Sequence, residues 1–235
     1  MNIGIVGYGK MGRLIEVEAK TLGHSIAFIA NSPDSEWKEA DVLIEFTQPD
    51  AMLENLERAL LNKIPFVTGT TGWHEHLEKV KDKVKEYDGS FFHASNFSLG
   101  VNIFFEMNRQ LAQVMSKYRD YKVHIEETHH TEKKDSPSGT AITAAQGILE
   151  SQVFLNRWAT DHHGDHEPEV LPITSHRLPE VPGTHIVKYE SDIDCLSLSH
   201  EAKNRKGFAH GAILAASWLP SHKGVFTMKD ILTPH

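Results

Sequence analysis

The sequence is poor in cysteine and has no long apolar run. Cys195 is the only cysteine, which excludes an intramolecular disulfide and is typical of a reducing compartment. Its neighbours Leu196 and Leu198 predict that it packs within a strand. No apolar run approaches the roughly 18 residues that a membrane-spanning helix needs, and the N-terminus has no basic leader with a small-residue cleavage site. We therefore expect a cytoplasmic protein that does not insert into a membrane.

Positive charge is also scarce. The chain has 24 Lys and Arg against 32 Asp and Glu, which gives a formal net charge of −8, and it contains no basic block. Such a chain is not attracted as a whole to nucleic acid or to an anionic membrane, so neither is expected as its main partner. Any anion that the protein binds must be held by local groups.

The first hundred residues alternate between apolar β-branched stretches and helical patterns. Strands are predicted at residues 3–6, 25–30, 41–46, 65–68 and 90–93, and helices at residues 10–22, 50–62 and 74–87. Alternation of this kind is typical of a parallel sheet with helices on both faces. The sequence therefore predicts an α/β protein with a Rossmann-type, doubly wound sheet.

The pattern changes after residue 98. A long helix to about residue 115, a strand at 121–127, a helix at 139–150 and two alternating strands at 185–190 and 195–201 predict a mixed α/β domain over residues 99–206. Residues 157–183 are rich in His, Pro and charge and are predicted to be loop. An Ala-rich helix at 207–219 is expected to return to the first domain, which would then contain residues 1–98 and 207–235.

A glycine-rich turn follows the first strand and opens the first helix. Gly7-Tyr8-Gly9-Lys10-Met11-Gly12 has the pattern G-x-G-x-x-G. The first glycine permits a tight turn, the second lets the backbone approach a pyrophosphate, and the third allows close packing of helix on strand. This context favours dinucleotide binding over a purely structural turn. Arg13 could add a phosphate contact or could be an ordinary solvated arginine.

The choice between NADH and NADPH is normally made at the end of the second strand. An acidic residue there favours the ribose hydroxyls of NADH, and an Arg favours the 2′-phosphate of NADPH. This sequence has Asn31 followed by Ser32. Neither signature is present, so the sequence leaves the cofactor open.

The stretch from Glu126 to Ala141 combines titratable side chains with the start of a predicted helix. His129 and Lys133 could supply protons, and His130 adds a further donor. Ser136 or Ser138 can cap the helix that follows, whose first N–H groups, at Gly139 and Thr140, could bind a carboxylate. The alternative is a solvated, charged loop in which these small residues only mark the start of a helix.

This stretch also carries a family resemblance. Its pattern E-x-x-H-H-x-x-K-x-D-S-P-S-G-T-A resembles the signature of the 4-hydroxy-tetrahydrodipicolinate reductase (dihydrodipicolinate reductase) family of lysine and diaminopimelate biosynthesis. Further segments agree in order and spacing, with matches from residue 3 to about residue 219. They are Asp41–Pro49, Gly69–Gly72, Asn96–Asn102, Val181–Thr184, and Arg205 with Gly207–Ala212.

The resemblance implies a role for each matched position. His129 would donate or accept a proton and Lys133 would donate one, while His130, Gly139 and Thr140 would bind a cyclic dicarboxylate. The residues implied in binding NADH or NADPH are Gly7, Tyr8, Gly9, Lys10, Met11 and Gly12 at the pyrophosphate, Asn31 at the adenosine ribose, Gly69, Thr70 and Thr71 at the nicotinamide ribose, Ala94, Ser95, Asn96 and Phe97 beside the nicotinamide, and Arg205. The second domain would hold the substrate and mediate assembly, in this family usually of a homotetramer.

The implied reaction starts with loss of water from 4-hydroxy-tetrahydrodipicolinate. Hydride is then accepted at C4, and the adjacent carbon is protonated with help from His129 and Lys133. Two other classes stay open on the residues alone: a Rossmann dehydrogenase acting on an amino acid such as aspartate, and a non-catalytic NAD(P) sensor.

A metal is not expected. The cluster His162-His163-Gly164-Asp165-His166 contains ligand types that suit zinc, but it has neither a helical H-x-x-x-H pattern nor a cysteine pair. Hydride transfer needs no metal, because the nicotinamide carries the chemistry. We interpret this cluster as a polar surface loop.

Overall fold

The computed structural model describes residues 1–160 and 169–232, so the histidine cluster at 162–166 lies outside the described residues. Two single 3-10 turns occur, at His74–His76 and Leu219–Ser221. The other elements in chain order are β1 (Asn2–Val6), α1 (Lys10–Thr21), β2 (Ser25–Ala30), β3 (Val42–Glu45), α2 (Pro49–Leu61), β4 (Phe66–Thr68), α3 (Leu77–Glu86), β5 (Ser90–His93), α4 (Leu99–Met115), β6 (Lys122–His129), α5 (Gly139–Leu149), β7 (Arg157–Thr160), β8 (Val170–Arg177), β9 (Thr184–Glu190), β10 (Cys195–Glu201), α6 (Lys206–Trp218), β11 (Gly224–Phe226) and α7 (Met228–Leu232).

The described chain divides into two compact units. The first contains Met1–Leu99 and the chain from Lys206 onward, and the second contains Gly100–Arg205. None of the helices among the described residues is long and apolar enough to cross a lipid bilayer.

The first unit is built on a six-stranded sheet in the order β11-β5-β4-β3-β1-β2, and all of its pairings are parallel. Ile3 and Ile5 of β1 pack into one buried cluster with Ile15 of α1, and Val6 packs into a second with Leu56 of α2. Both faces of the sheet are therefore covered by helices. The predicted Rossmann-type α/β fold is confirmed.

The order of the strands locates the ligand edge of this sheet. From β1 the chain goes first to β2 on one side and then to β3 on the other. Between β1 and β3 the direction of winding reverses, and open α/β sheets bind ligands at the carboxyl ends of strands at such a point. Strand β11 was not predicted, because its three residues, Gly224–Phe226, are too few to form a recognisable pattern.

The second unit has a mixed five-stranded sheet in the order β10-β9-β6-β8-β7. Strand β6 pairs with β8 in parallel and with β9 in antiparallel orientation. Apolar side chains of α4 and α5, among them Phe104 and Ala145, form a buried cluster with Ile125 of β6 and Val187 of β9. The predicted mixed α/β character is present.

Two sequence interpretations of this unit are wrong. The supposed loop at 157–183 contains β7 and the eight-residue strand β8, whose Leu171 and Ile173 are fully buried. Pro172 lies between them, and a proline inside an apolar run normally argues against a strand. Cys195 is exposed and not a packing residue, because it lies on the face of β10 opposite Leu198, which packs against the buried cluster.

Candidate active site

The glycine-rich turn has the geometry that its sequence predicts. Gly7 has φ +89°, and a Cβ atom there would lie 2.1 Å from the carbonyl oxygen of Phe46. A Cβ atom on Gly12 would lie 2.2 Å from the carbonyl oxygen of Gly7, so the helix packs directly on the turn. Gly9 is the N-cap of α1, and no side chain caps the helix there. A Cβ atom on Gly9 would meet no atom within 4 Å. The first amides of α1 thus face a cradle that fits a pyrophosphate.

A cavity of about 300 Å³ adjoins this turn. It is lined by residues from the ends of β1, β2 and β3 and from α2, including Tyr8, Asn31, Ser32, Thr47 and Glu54. The Asn31 side-chain oxygen accepts a hydrogen bond from the Tyr8 N–H at 3.1 Å. None of the described residues that line the cavity is Lys or Arg. Its size and position suit the adenosine end of the cofactor.

The guanidinium of Arg13 packs on an aromatic ring of the turn. It lies 4.7 Å from the centre of the Tyr8 ring, a cation–π distance. Tyr8 in turn donates a short hydrogen bond to Glu16. Arg13 is exposed beside the turn, and its possible contact with a phosphate stays a prediction.

A buried carboxylate organises the turn after β4. Glu45, at the end of β3, is fully buried and accepts hydrogen bonds from the hydroxyls of Thr47, Thr68 and Thr70. Burial raises the pKa of Glu45, and the hydroxyl donors oppose that rise. The Thr70 hydroxyl also accepts from the Thr47 N–H at 2.8 Å. Glu45 thereby joins the ends of β3 and β4, and the turns that follow them, at the ligand edge.

Most of the remaining residues implied in cofactor binding follow β4 and β5. Gly69 has no room for a side chain, since a Cβ atom would lie 2.0 Å from the Phe46 ring, and Thr71 beside it is exposed. Ala94 to Phe97 follow β5 directly. Lys10 and Met11 begin α1, whereas Arg205 is an exposed residue at the end of the second unit. The cofactor roles of all these residues stay predictions.

In the second unit His129 is held by a buried acid. Glu127 and His129 are two residues apart on β6, so their side chains share one face of the strand. Glu127 is fully buried, and its carboxylate makes a short hydrogen bond with His129 Nδ1. The other carboxylate oxygen accepts from Arg177 Nη2 at 3.0 Å and from the Ser138 N–H at 3.3 Å. Burial alone would raise the pKa of Glu127, but the bonds from His129 and Arg177 outweigh it and hold the pKa at about 2.

Gly183 lies against the second ring nitrogen of His129, which is buried. A Cβ atom on Gly183 would lie 2.9 Å from His129 Nε2. The ring of His185 lies 5.0 Å from that of His129 and meets it edge-on. Nε2 is therefore the ring nitrogen that can exchange a proton with a ligand, because Glu127 engages Nδ1.

Donor atoms of Glu127, His129 and His185 lie within 4.8 Å of one another. Three such groups have the chemistry of a zinc site. The Glu127 carboxylate, however, already has the Arg177 guanidinium as its counterion, and His185 Nε2 lies 3.0 Å from the Ser138 hydroxyl. We assign no metal to this cluster.

The loop after β6 carries Lys133, the second residue predicted to handle a proton. Lys133 Nζ lies 2.8 Å from the Asp135 carboxylate, and the lysine side chain is partly buried. Hydrogen bonding to Lys133 lowers the pKa of Asp135. His130 precedes this loop, and its Nδ1 is buried without a hydrogen-bond partner among the described residues.

Helix α5 begins where a carboxylate could bind. Ser138 is its N-cap and accepts from the Ala141 N–H at 3.2 Å. Gly139 is exposed and has open space at its Cβ position, and Thr140 is the next residue. The first turn of α5 thus offers backbone amides at the positive end of the helix dipole. The Ser138 N–H bond to Glu127 fixes this helix start beside His129.

The sequence did not predict three residues that organise these sites: Glu127, Arg177 and Glu45. Glu127 could have been found, since it lies two residues before His129 in an alternating strand. Arg177 could not, because its segment was interpreted as loop. For Glu45 the sequence offered one indication, an acidic residue at the end of an apolar strand.

Comparison with known protein families gives two matches that together span most of the chain. Residues 16–97 match the model described as "Dihydrodipicolinate reductase, N-terminus", and residues 100–232 match "Dihydrodipicolinate reductase, C-terminus". The resemblance found from the motifs is confirmed.

Individual proteins agree. The chain is 47% identical to a protein of Christiangramia forsetii named 4-hydroxy-tetrahydrodipicolinate reductase, over 99% of this chain and 98% of that protein. A protein of the same name from Nitratiruptor sp. is 31% identical over 99% of both. Among solved structures, a dipicolinate-bound dihydrodipicolinate reductase from Paenisporosarcina sp. TG-14 has the same fold, with a TM-score of 0.79 and 21% identity over 98% of this chain and 99% of that one.

Proposed function

The chain belongs to the dihydrodipicolinate reductase family, and we propose that it reduces 4-hydroxy-tetrahydrodipicolinate to tetrahydrodipicolinate with NADH or NADPH, in lysine and diaminopimelate biosynthesis. The observation that carries the proposal is the arrangement in the second unit. A histidine held by a buried carboxylate adjoins a capped helix start whose first residue, Gly139, is exposed and has open space at its Cβ position. These are the groups needed to bind a dicarboxylate and to move a proton.

The first unit supplies the cofactor site. Gly7 and Gly12 form a turn that a Cβ atom would fill, which fits a pyrophosphate, and the adjoining cavity fits an adenosine. The Glu45 network would hold Gly69 to Thr71 in place at the nicotinamide ribose. When bound, the reduced nicotinamide supplies the hydride for C4 of the substrate.

The proton chemistry belongs to the second unit. Loss of water from the 4-hydroxy substrate gives the unsaturated ring, and after hydride reaches C4 the adjacent carbon takes a proton. We assign this proton to Lys133 Nζ, with His129 Nε2 as the group that accepts or relays a proton, because Glu127 engages the other His129 nitrogen. The amides of Gly139 and Thr140, with His130, would hold a substrate carboxylate.

We further propose that the protein acts in the cytoplasm as a homotetramer. The cellular location is supported by the single cysteine, which is typical of a reducing compartment. Assembly is supported by edge strand β10 and the turn before it, where Leu196 and Ile193 are 44% and 91% exposed. Light scattering of the purified protein would show a single species at four times the chain mass, and a monomer would contradict this.

The test of function is steady-state turnover. Freshly made 4-hydroxy-tetrahydrodipicolinate should be consumed with oxidation of the cofactor, measured side by side with NADH and NADPH. Aspartate with the oxidised cofactors serves as the control for an amino-acid dehydrogenase. Tight cofactor binding without turnover of any dicarboxylate would instead indicate a sensor.

A further inference from the structure

We propose that Arg177 is a positioning residue that joins the two proton-handling groups of this site into one unit. The inference rests on the proposed function. A single nitrogen of its guanidinium, Nη2, lies 3.0 Å from the Glu127 carboxylate and 2.6 Å from the backbone carbonyl of Asp135. Through Glu127 it acts on His129, and through Asp135 on the loop that carries Lys133.

The backbone brings Arg177 to this place. Strands β6 and β8 pair in parallel, and the register sets His129 opposite Arg177 at their carboxyl ends. The N–H of Leu178 donates to the carbonyl of His129 at 2.9 Å, which extends the pairing beyond the last residue of each strand. Arg177 Nη1 donates to the carbonyl of His176 at 2.7 Å, so the guanidinium plane is held at both ends.

The first effect of Arg177 is electrostatic. Glu127 is completely buried, and an ionised carboxylate without a counterion is costly in such a place. The guanidinium keeps the carboxylate ionised, and an ionised Glu127 can only accept a hydrogen bond. His129 must then carry its proton on Nδ1, which fixes the ring and leaves Nε2 for proton exchange.

The second effect is on the loop. Asp135 is joined to Lys133 through its side chain and to Arg177 through its main chain. Arg177 therefore restricts the segment that carries the Lys133 ammonium group. Lysine at position 177 would retain the positive charge, but its single ammonium lacks the planar set of donors that spans Glu127, Asp135 and His176.

Steady-state kinetics of R177A and R177K test the proposal. We expect the kcat of R177A to fall about 10- to 100-fold, the loss typical of one charge-assisted hydrogen bond, with an unchanged KM for the cofactor. Added guanidinium ion should restore part of the kcat of R177A and leave the wild type unaffected. R177K should lie between R177A and the wild type. The matched control is R119M, which removes an exposed arginine of the same unit and should match the wild type.

The protonation state of His129 gives a readout that is independent of turnover. The side-chain ¹⁵N resonances of His129, assigned with H129Q, should show the Nδ1–H form in the wild type and a mixture in R177A. A wild type that reduces no dipicolinate precursor contradicts the proposed function, whereas these spectra still test Arg177. A folded R177A with unchanged kcat or without guanidinium rescue overturns the inference. If R177A does not fold, R177K decides, and wild-type kcat for R177K overturns it.

Discussion

His129 and Arg177 lie opposite each other on two neighbouring parallel strands, and each bonds a different oxygen of the Glu127 carboxylate. The carboxylate is fully buried between them, so an imidazole and a guanidinium share one counterion. This relationship makes His129 a fixed proton carrier rather than a mobile surface histidine.

Gly183→Ala should damage proton transfer. The new Cβ atom would lie 2.9 Å from His129 Nε2 at a backbone φ of +155°, so the ring or the strand must move. We expect kcat to fall by about tenfold or more, since misplacement of a catalytic group is expensive. Gly207→Ala is the control, because its Cβ would make an ordinary 3.6 Å contact with Ser98. Equal kcat values for the two variants would contradict the assignment of Nε2.

The two glycines Gly9 and Gly12 should respond differently to alanine. Gly12→Ala places a Cβ atom 2.2 Å from the Gly7 carbonyl oxygen, so it should destabilise the protein by about 1–3 kcal/mol even without cofactor. Gly9→Ala meets no atom within 4 Å, so it should fold normally and weaken binding of both NADH and NADPH. Thermal unfolding and cofactor titration separate these outcomes. Normal cofactor affinity in Gly9→Ala would show that the pyrophosphate does not lie at this turn.

Lys133→Ala should affect turnover without affecting the cofactor. Loss of a general acid costs about 10²- to 10⁴-fold in rate, whereas Lys133 is remote in sequence from the glycine-rich turn. We expect a large fall in kcat with an unchanged dissociation constant for NADPH, measured by fluorescence. Lys134→Ala, at the exposed neighbouring position, is the matched control. Unaltered turnover of Lys133→Ala would remove Lys133 from the mechanism.

Acid should destabilise the fold through His185. Burial, followed by the nearby His129, lowers the pKa of His185 from 6.5 to about 3. The unfolded chain takes up a proton below pH 6.5, but the folded chain does not until about pH 3. His185 therefore does not lower the free energy of unfolding above pH 6.5. Between pH 6.5 and about pH 3 that free energy falls with the pH, by up to about 1.4 kcal/mol per pH unit.

Urea unfolding at several pH values measures this effect. Between pH 6.5 and 4.5 the free energy of unfolding of His185→Gln should fall less steeply than that of the wild type. His93 adds a similar slope to both proteins, because burial lowers its pKa to about 4. His176→Gln, at an exposed position of β8, should keep the wild-type slope. If the slope of His185→Gln equals that of the wild type, His185 is not held neutral by burial.

Much of this protein is encoded locally. The G-x-G-x-x-G turn, the alternation of strands and helices, and the Ser138 cap of α5 each depend on residues close together in sequence. Their physical causes are steric room at Gly7 and Gly12, periodicity of apolar residues, and a side chain within reach of its own helix. Such features can be recognised in the sequence alone, and the family could be recognised in the same way from its motifs.

The tertiary structure decided which distant groups meet. Arg177 reaches Glu127 only because β8 pairs with β6 in one register, although the sequence between them includes a whole helix and a further strand. Cys195 is exposed because the buried cluster packs against the other face of β10, on which Leu198 lies. Glu45 obtains its donors from the end of β4 and the turn after it. Strand pairing and burial of charge are long-range properties, so the sequence could name His129 and Lys133 as proton carriers but could not show what holds them.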